Sequence, residues 1–174
     1  MKQMARYGLV LGLICVIASA SLALVNSLTR SRILAQAKGE EEGSLKEVVP
    51  EAVRFEPVRS GENILYYKAY SQDNAFIGTA FKVAKKGYSS VVETMVGMKK
   101  DGTIIAIKVL SQNETPGLGA RVTEPSFTAQ FSNKNIAKID EVEAITGATI
   151  SSHAVIDAVT QKSREIEALI KDAR

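Results

Sequence analysis

The sequence predicts an α+β fold, an antiparallel sheet with flanking helices, preceded by one N-terminal transmembrane helix. Three patterns point there. Residues 7–28 form a nearly unbroken apolar run with no charged residue, about 33 Å long as a helix, which matches the hydrocarbon core of a bilayer. Four β-rich runs separated by turn residues follow one another between Ile64 and Gln112. The chain closes on an amphipathic stretch, Ser152 to Lys171, that brings Val155, Val159, Ile166 and Ile170 to one helical face.

Composition bounds what the chain does. A length of 174 residues with 45% hydrophobic content suits one domain with an ordinary core. The net charge of +3 is small, and acidic and basic residues are interspersed without a Lys/Arg run interleaved with aromatics. That pattern argues against nucleic-acid binding. The single cysteine, Cys15, lies inside the apolar run, which excludes a disulfide framework and any cysteine-rich metal or haem motif within this chain.

The apolar run reads as a retained anchor over residues 1–28. A cleaved signal peptide is the alternative, because Lys2 and Arg6 form a basic start and Ala18-Ser19-Ala20 is a small-residue cleavage pattern. The run continues past that point through Leu22, Leu24, Val25 and Leu28, longer than such a signal needs. Lipoprotein processing requires a small residue before the cysteine, and Ile14 stands there. Charge does not set the orientation, since Lys2 and Arg6 before the run are balanced by Arg30, Arg32 and Lys38 after it. Gly8 and Gly12, and the row Cys15, Ser19, Ala23 and Ser27, recur four residues apart, a spacing that lets another helix approach closely or simply meets lipid.

Residues 29–62 read as a helical stalk or linker. Ile33, Leu34, Ala37, Leu45, Val48 and Val49 keep helical spacing, with an expected break at Gly39-Glu40-Glu41-Glu42-Gly43. Residues 63–174 read as the folded domain. Its strands are expected at Ile64–Tyr70, Phe76–Ala84, Ser89–Lys99 and Thr103–Gln112, joined by turns at Gln72-Asp73-Asn74, Lys85-Lys86-Gly87 and Lys100-Asp101-Gly102. Beyond them, Pro125–Phe131 suggests a short helix and Ile136–Val142 a strand-like segment.

Two segments of this domain carry chemistry. Thr146-Gly147-Ala148-Thr149-Ile150-Ser151-Ser152 places four hydroxyls and a glycine at the start of the last helix. Unpaired N–H groups and the positive dipole end make such a place able to hold a phosphate. The plainer reading is a Ser/Thr-rich turn capping a helix. The second segment, Glu114-Thr115-Pro116-Gly117-Leu118-Gly119, is a loop that one proline and two glycines hold in a fixed shape, or an ordinary turn.

Together, in this order and about 30 residues apart, the two segments resemble motifs of the FMN-binding domain family. The string from Glu143 to Ser151 is similar to the family's flavinylation motif, in which the last hydroxyl carries FMN through a phosphoester bond. The Glu114–Gly119 loop is similar to the ETPGLG segment of its Rnf and Na⁺-pumping quinone-reductase members. Position 143 is Glu where Asp is usual, and the acceptor is Ser where Thr is commoner. Carried over by position, the resemblance implies covalent FMN on Ser151, with Ser152 as a competing acceptor and Thr146, Gly147, Ala148 and Thr149 completing the motif. The loop would form one wall for the flavin, with the amides of Gly117, Leu118 and Gly119 and the Thr115 hydroxyl available to it.

A single anchor and a compact domain make the chain most similar to the G-subunit branch of the Rnf ion-translocating ferredoxin:NAD⁺ oxidoreductases, the quinone-reductase counterpart being longer. The resemblance implies a relay without activity on its own. Its partners would be the membrane iron–sulfur A and E subunits and the flavin-bearing D subunit, with a flavin transferase for maturation and the domain outside the cytoplasm. The alternatives are an FMN subunit of a Na⁺-translocating NADH:quinone reductase and a non-redox, membrane-anchored scaffold. Geometry argues against a serine hydrolase: Ser151 and His153, two residues apart on a helix, point about 200° apart, and no other histidine exists. No metal site is expected.

Overall fold

The structure, a computed structural model, describes residues 2–61 and 63–172. Helix α1 covers Lys2–Val48. Its segment Arg6–Arg30 has a mean hydropathy of 2.6 and is long and apolar enough to cross a bilayer. Apolar side chains such as Leu9, Leu11, Val16, Leu22 and Leu28 are exposed along it. The expected break at 39–43 does not occur, and the helix continues through both glycines. Three consecutive glutamates are good helix formers, and Gln36 Nε2 donates to Glu40 Oε1 at 2.8 Å across one turn. These local supports offset a cost of about 1 kcal/mol per glycine.

Packing divides the chain between Glu41 and Glu42. In the second unit the strands run β1 Arg54–Ser60, β2 Asn63–Tyr70, β3 Phe76–Lys86, β4 Val91–Lys99 and β5 Ile104–Ser111. They form one antiparallel meander in that order. Four of the five were expected. The fifth, β1, falls in the stretch read as linker. Its sequence Arg-Phe-Glu-Pro-Val-Arg-Ser carries three charges and a proline, which suits an edge strand but gives no strong strand signal. At Asp101-Gly102 the turn chemistry behaves as read: Gly102 has φ 79°, and Asp101 Oδ1 accepts from Thr103 N–H at 2.9 Å. The turn expected at Lys85-Lys86-Gly87 lies instead at 87–90, closed by Gly87 N–H donating to Ser90 C=O at 2.8 Å, because Lys85 and Lys86 pair with Val92 and Val91 in the ladder.

Alternation along the strands sends side chains to two faces. Helix α3, Thr149–Asp172, covers one of them. There Phe81, Val92, Val96, Met98 and Ile104 pack with Val155, Val159 and Ile166 of α3. The connection after β5 lies in the same core through Val122, Phe127, Phe131, Ile136 and Ile139. The opposite face holds a smaller cluster in which Leu45, Val48 and Val49 meet Ala69, Ala80 and Met95. Gly97 on β4 permits that approach, because a Cβ there would overlap the carbonyl of Val48.

The connection itself is built from short helices. Gly119–Thr123 is a 3₁₀ turn, Pro125–Thr128 forms α2, and Ala129–Phe131 continues it as 3₁₀. The strand expected at Ile136–Val142 is instead a 3₁₀ helix, Ile136–Glu141. Asn135 causes the difference by capping it, its Oδ1 accepting from Ala137 N–H at 3.0 Å. Ile136 and Ile139 are then buried three residues apart, a spacing that suits a 3₁₀ turn.

Candidate functional site

Helix α3 begins at Thr149, earlier than its apolar face suggests, so Ser151 lies within the first turn. The first i→i−4 bond runs from Ser152 N–H to Ala148 C=O at 2.9 Å. The N–H groups of Thr149, Ile150 and Ser151 precede it, which leaves them without intrahelical acceptors. Gly147, at φ 82°, makes the turn into the helix. Ser151 is 2% exposed, and its hydroxyl donates to Glu114 Oε2 at 2.5 Å. The two sequence segments therefore meet through the Ser151 side chain.

Glu114 is the hub of this contact. It is 5% exposed, and its carboxylate also accepts from the backbone N–H of Tyr88 (3.1 Å), Ser89 (3.1 Å) and Ser90 (2.8 Å) and from the Ser90 hydroxyl (3.0 Å). These donors sit in the turn between β3 and β4, so one carboxylate ties that turn to the loop after β5 and to α3. Two glycines close around it. A Cβ on Gly87 would come within 2.9 Å of Glu114 Oε1, and one on Gly119 within 2.6 Å of Ser151 Oγ and 2.9 Å of Glu114 Oε2.

Burial alone would raise the Glu114 pKa. The hydrogen bonds from the Ser151 hydroxyl, Ser90 and Ser89 outweigh it and bring the value from 4.5 down to about 2. A carboxyl whose folded pKa is depressed contributes stability above its unfolded pKa and loses it as pH falls through the folded one. The melting-temperature advantage of the parent chain over Glu114→Gln is thus expected to be full above pH 4.5 and to shrink between pH 4.5 and about 2. A constant difference from pH 7 down to pH 3 contradicts this.

A cavity of about 520 Å³ opens here, lined by Tyr88, Glu114, Thr115, Leu118, Gly119, Gly147, Ala148, Thr149, Ile150 and Ser151. That volume lies in the range of small-molecule and cofactor sites. Its rim is apolar, since Tyr88 is 66%, Leu118 48% and Ile150 57% exposed. Of the residues expected from sequence, Thr146 and Gly117 lie outside this lining, Thr146 exposed and Gly117 in the loop at φ 74°. The amide of Leu118 is not available to a ligand, because it donates to Thr115 C=O at 3.1 Å within the loop. Ser152 is fully buried: its hydroxyl donates to Ala148 C=O and accepts from Ile145 N–H, both at 3.0 Å. His153 is exposed, whereas Glu143 has its backbone held on both sides by the Gln130 amide, at 2.9 and 3.4 Å.

Sequence reasoning missed Tyr88, Ile150 and the Ser89-Ser90 amides. A tyrosine beside two serines after Gly87 was the available signal, but nothing in the spacing connects residue 88 to residue 114.

The residues present fit FMN. A bare backbone at Gly147 on the cavity wall, hydroxyls and N–H groups without intrahelical acceptors at the start of α3, and an apolar rim suit a phosphate and an aromatic ring system. Residues 87–162 match the FMN-binding domain family, and residues 1–48 match the RnfG N-terminal region. The G subunit of the ion-translocating oxidoreductase complex of Methanosarcina acetivorans is 34% identical, covering 91% of this chain and 92% of that protein. The G subunit of the Na⁺-translocating ferredoxin:NAD⁺ oxidoreductase complex of Acetobacterium woodii is 28% identical, covering 98% and 95%. NqrC of Shewanella oneidensis shares the fold, with a TM-score of 0.51 and 18% identity over 70% of this chain and 74% of that one. Fold and site define an FMN-binding-domain protein with an apolar N-terminal helix. The chain belongs to the family of G subunits of ion-translocating oxidoreductase complexes.

Proposed function

We propose that this chain is the G subunit of an Rnf-type ion-translocating ferredoxin:NAD⁺ oxidoreductase, carrying FMN as a phosphoester on Ser151 and relaying electrons between other subunits. The observation that carries this reading is the Ser151 hydroxyl, set in the first turn of α3 and on the wall of the cavity it shares with the Glu114–Gly119 loop. The names of the relatives support the complex, two of them being subunits of ferredoxin:NAD⁺ oxidoreductases.

Bound FMN would supply one- and two-electron exchange. The chain's own residues bind and orient it. Ser151 Oγ provides the attachment, the first-turn N–H groups of α3 stabilise the remaining phosphate charge by about 0.3–1 kcal/mol, and Tyr88, Leu118 and Ile150 offer apolar surface. Attachment through a covalent bond suits a domain outside the cytoplasm, where dissociated FMN would be diluted. In this reading residues 1–28 anchor the chain and the unit from Glu42 onwards, which takes in β1 and the buried end of α1 from the stretch 29–62, carries the flavin, while the A, E and D subunits exchange electrons with it and a flavin transferase loads it.

The test is mass spectrometry of the chain after co-expression with a flavin transferase. Tryptic peptide 139–162, which contains Ser151, is expected to gain the mass of FMN less one water, with fragmentation mapping it to Ser151. An unmodified peptide, or an adduct on Thr149 or Ser152, overturns the assignment.

A further inference from the structure

The Ser151 hydroxyl does not point at solvent before modification. It is 2% exposed and spends its proton on Glu114 Oε2 at 2.5 Å. An acceptor hydroxyl must shed that proton when its oxygen bonds to phosphorus, and the family resemblance does not say what receives it. The one histidine, His153, is exposed and two residues along the helix, which turns its side chain about 200° from that of Ser151.

Resting on the reading that Ser151 carries the flavin, we propose that Glu114 is the general base of this chain's own flavinylation, so that the substrate of the transferase supplies a catalytic group. Ser151 Oγ attacks the FMN-side phosphorus of a flavin dinucleotide, and the new O–P bond replaces the P–O bond of the phosphoanhydride. The nucleoside monophosphate leaves, and the Ser151 proton passes to Glu114 Oε2 and then to solvent. No electron changes hands.

Three features equip Glu114 for this. The four donors from Tyr88, Ser89 and Ser90 hold its carboxylate in the ionised, acceptor-only form and fix its position. Gly119 leaves the space in which Oε2 and Ser151 Oγ meet. The weak basicity is compatible with the role, because a positioned carboxylate also accepts the substrate hydroxyl proton in protein kinases.

The experiment uses the full-length chain, purified in detergent without flavin, with a purified flavin transferase, Mg²⁺ and flavin adenine dinucleotide. The rate of covalent flavin formation is measured from pH 6 to pH 9 for the parent, Glu114→Gln and Ser90→Ala. Loss of a general base is expected to slow Glu114→Gln by about 10²-fold at pH 7. The ratio of its rate to the parent's should climb with pH as hydroxide replaces the missing base. Ser90→Ala, which removes one bond to Glu114 but not the base, should lose only a few-fold, with a pH-independent ratio.

Parental rates in Glu114→Gln overturn the proposal, and so does an equal, pH-flat loss in both variants, which would mark Glu114 as a brace for the turn. The Ser151 assignment survives either result. Flavin attached to Ser151→Ala, or a parent chain that takes none, removes that assignment and this proposal with it.

Discussion

Ser151→Ala is expected to carry no covalent flavin while folding and inserting into membranes like the parent. The substitution deletes one oxygen whose partner in the fold is Glu114. Hydrogen bonds to charged groups contribute about 1.5–3 kcal/mol, which lowers the melting temperature by several degrees but leaves a domain of this size folded. Glu114 Oε2 keeps the Tyr88 N–H at 3.1 Å, so the carboxylate is not left bare. Neither neighbouring hydroxyl substitutes for the lost one. Ser152 Oγ is fully buried and engaged by Ala148 and Ile145, and Thr149, though it lines the same cavity, stands two residues back, about 200° around the helix from Ser151, without the bond to Glu114 that positions the Ser151 hydroxyl. In-gel flavin fluorescence after denaturation, with the mass of peptide 139–162, reads the result. A fluorescent Ser151→Ala band would sink the assignment.

What the sequence discloses divides by the range of the interaction that fixes it. The strands from β2 to β5 and helix α3 are legible because period and turn residues are local. Asp101-Gly102 sets its hairpin with its own side chain and its own positive φ. Strand β1 is not legible, since Pro57 and three charges make sense only once β2 offers an edge. Residues 136–141 mislead for a similar reason: Ile136 and Ile139 fit either spacing, and Asn135 decides. At the site, the 114–119 loop and the 146–151 turn stand out as two motifs. Their joining through a single carboxylate does not, because the five donors to Glu114 lie 24 to 37 residues away. The Leu118 amide looks free in the sequence and is consumed by Thr115 at short range.

The two glycines of the loop separate a backbone requirement from a spatial one, and the second large effect is expected at only one of them. Gly117 has φ 74° and nothing within 4 Å of the place a Cβ would occupy. Gly117→Ala therefore costs about 1 kcal/mol of backbone strain and should leave flavin loading near the parental level. Gly119 has no positive φ, but a Cβ there meets Ser151 Oγ at 2.6 Å and Glu114 at 2.9 Å. To fit a methyl group, either the acceptor oxygen or the carboxylate must move by a sizeable fraction of an ångström, and both are held by the bonds described above. Misplacement of a reacting group by about 1 Å costs on the order of 10²-fold in rate. Gly119→Ala is thus expected to load flavin about 10²-fold more slowly than Gly117→Ala. Both should stay folded, because the core beneath, with Val122, Phe127 and Val155 buried, is untouched. Equal loading rates for the two variants would mean that Ser151 and Glu114 need not meet as they do here for the flavin to be attached.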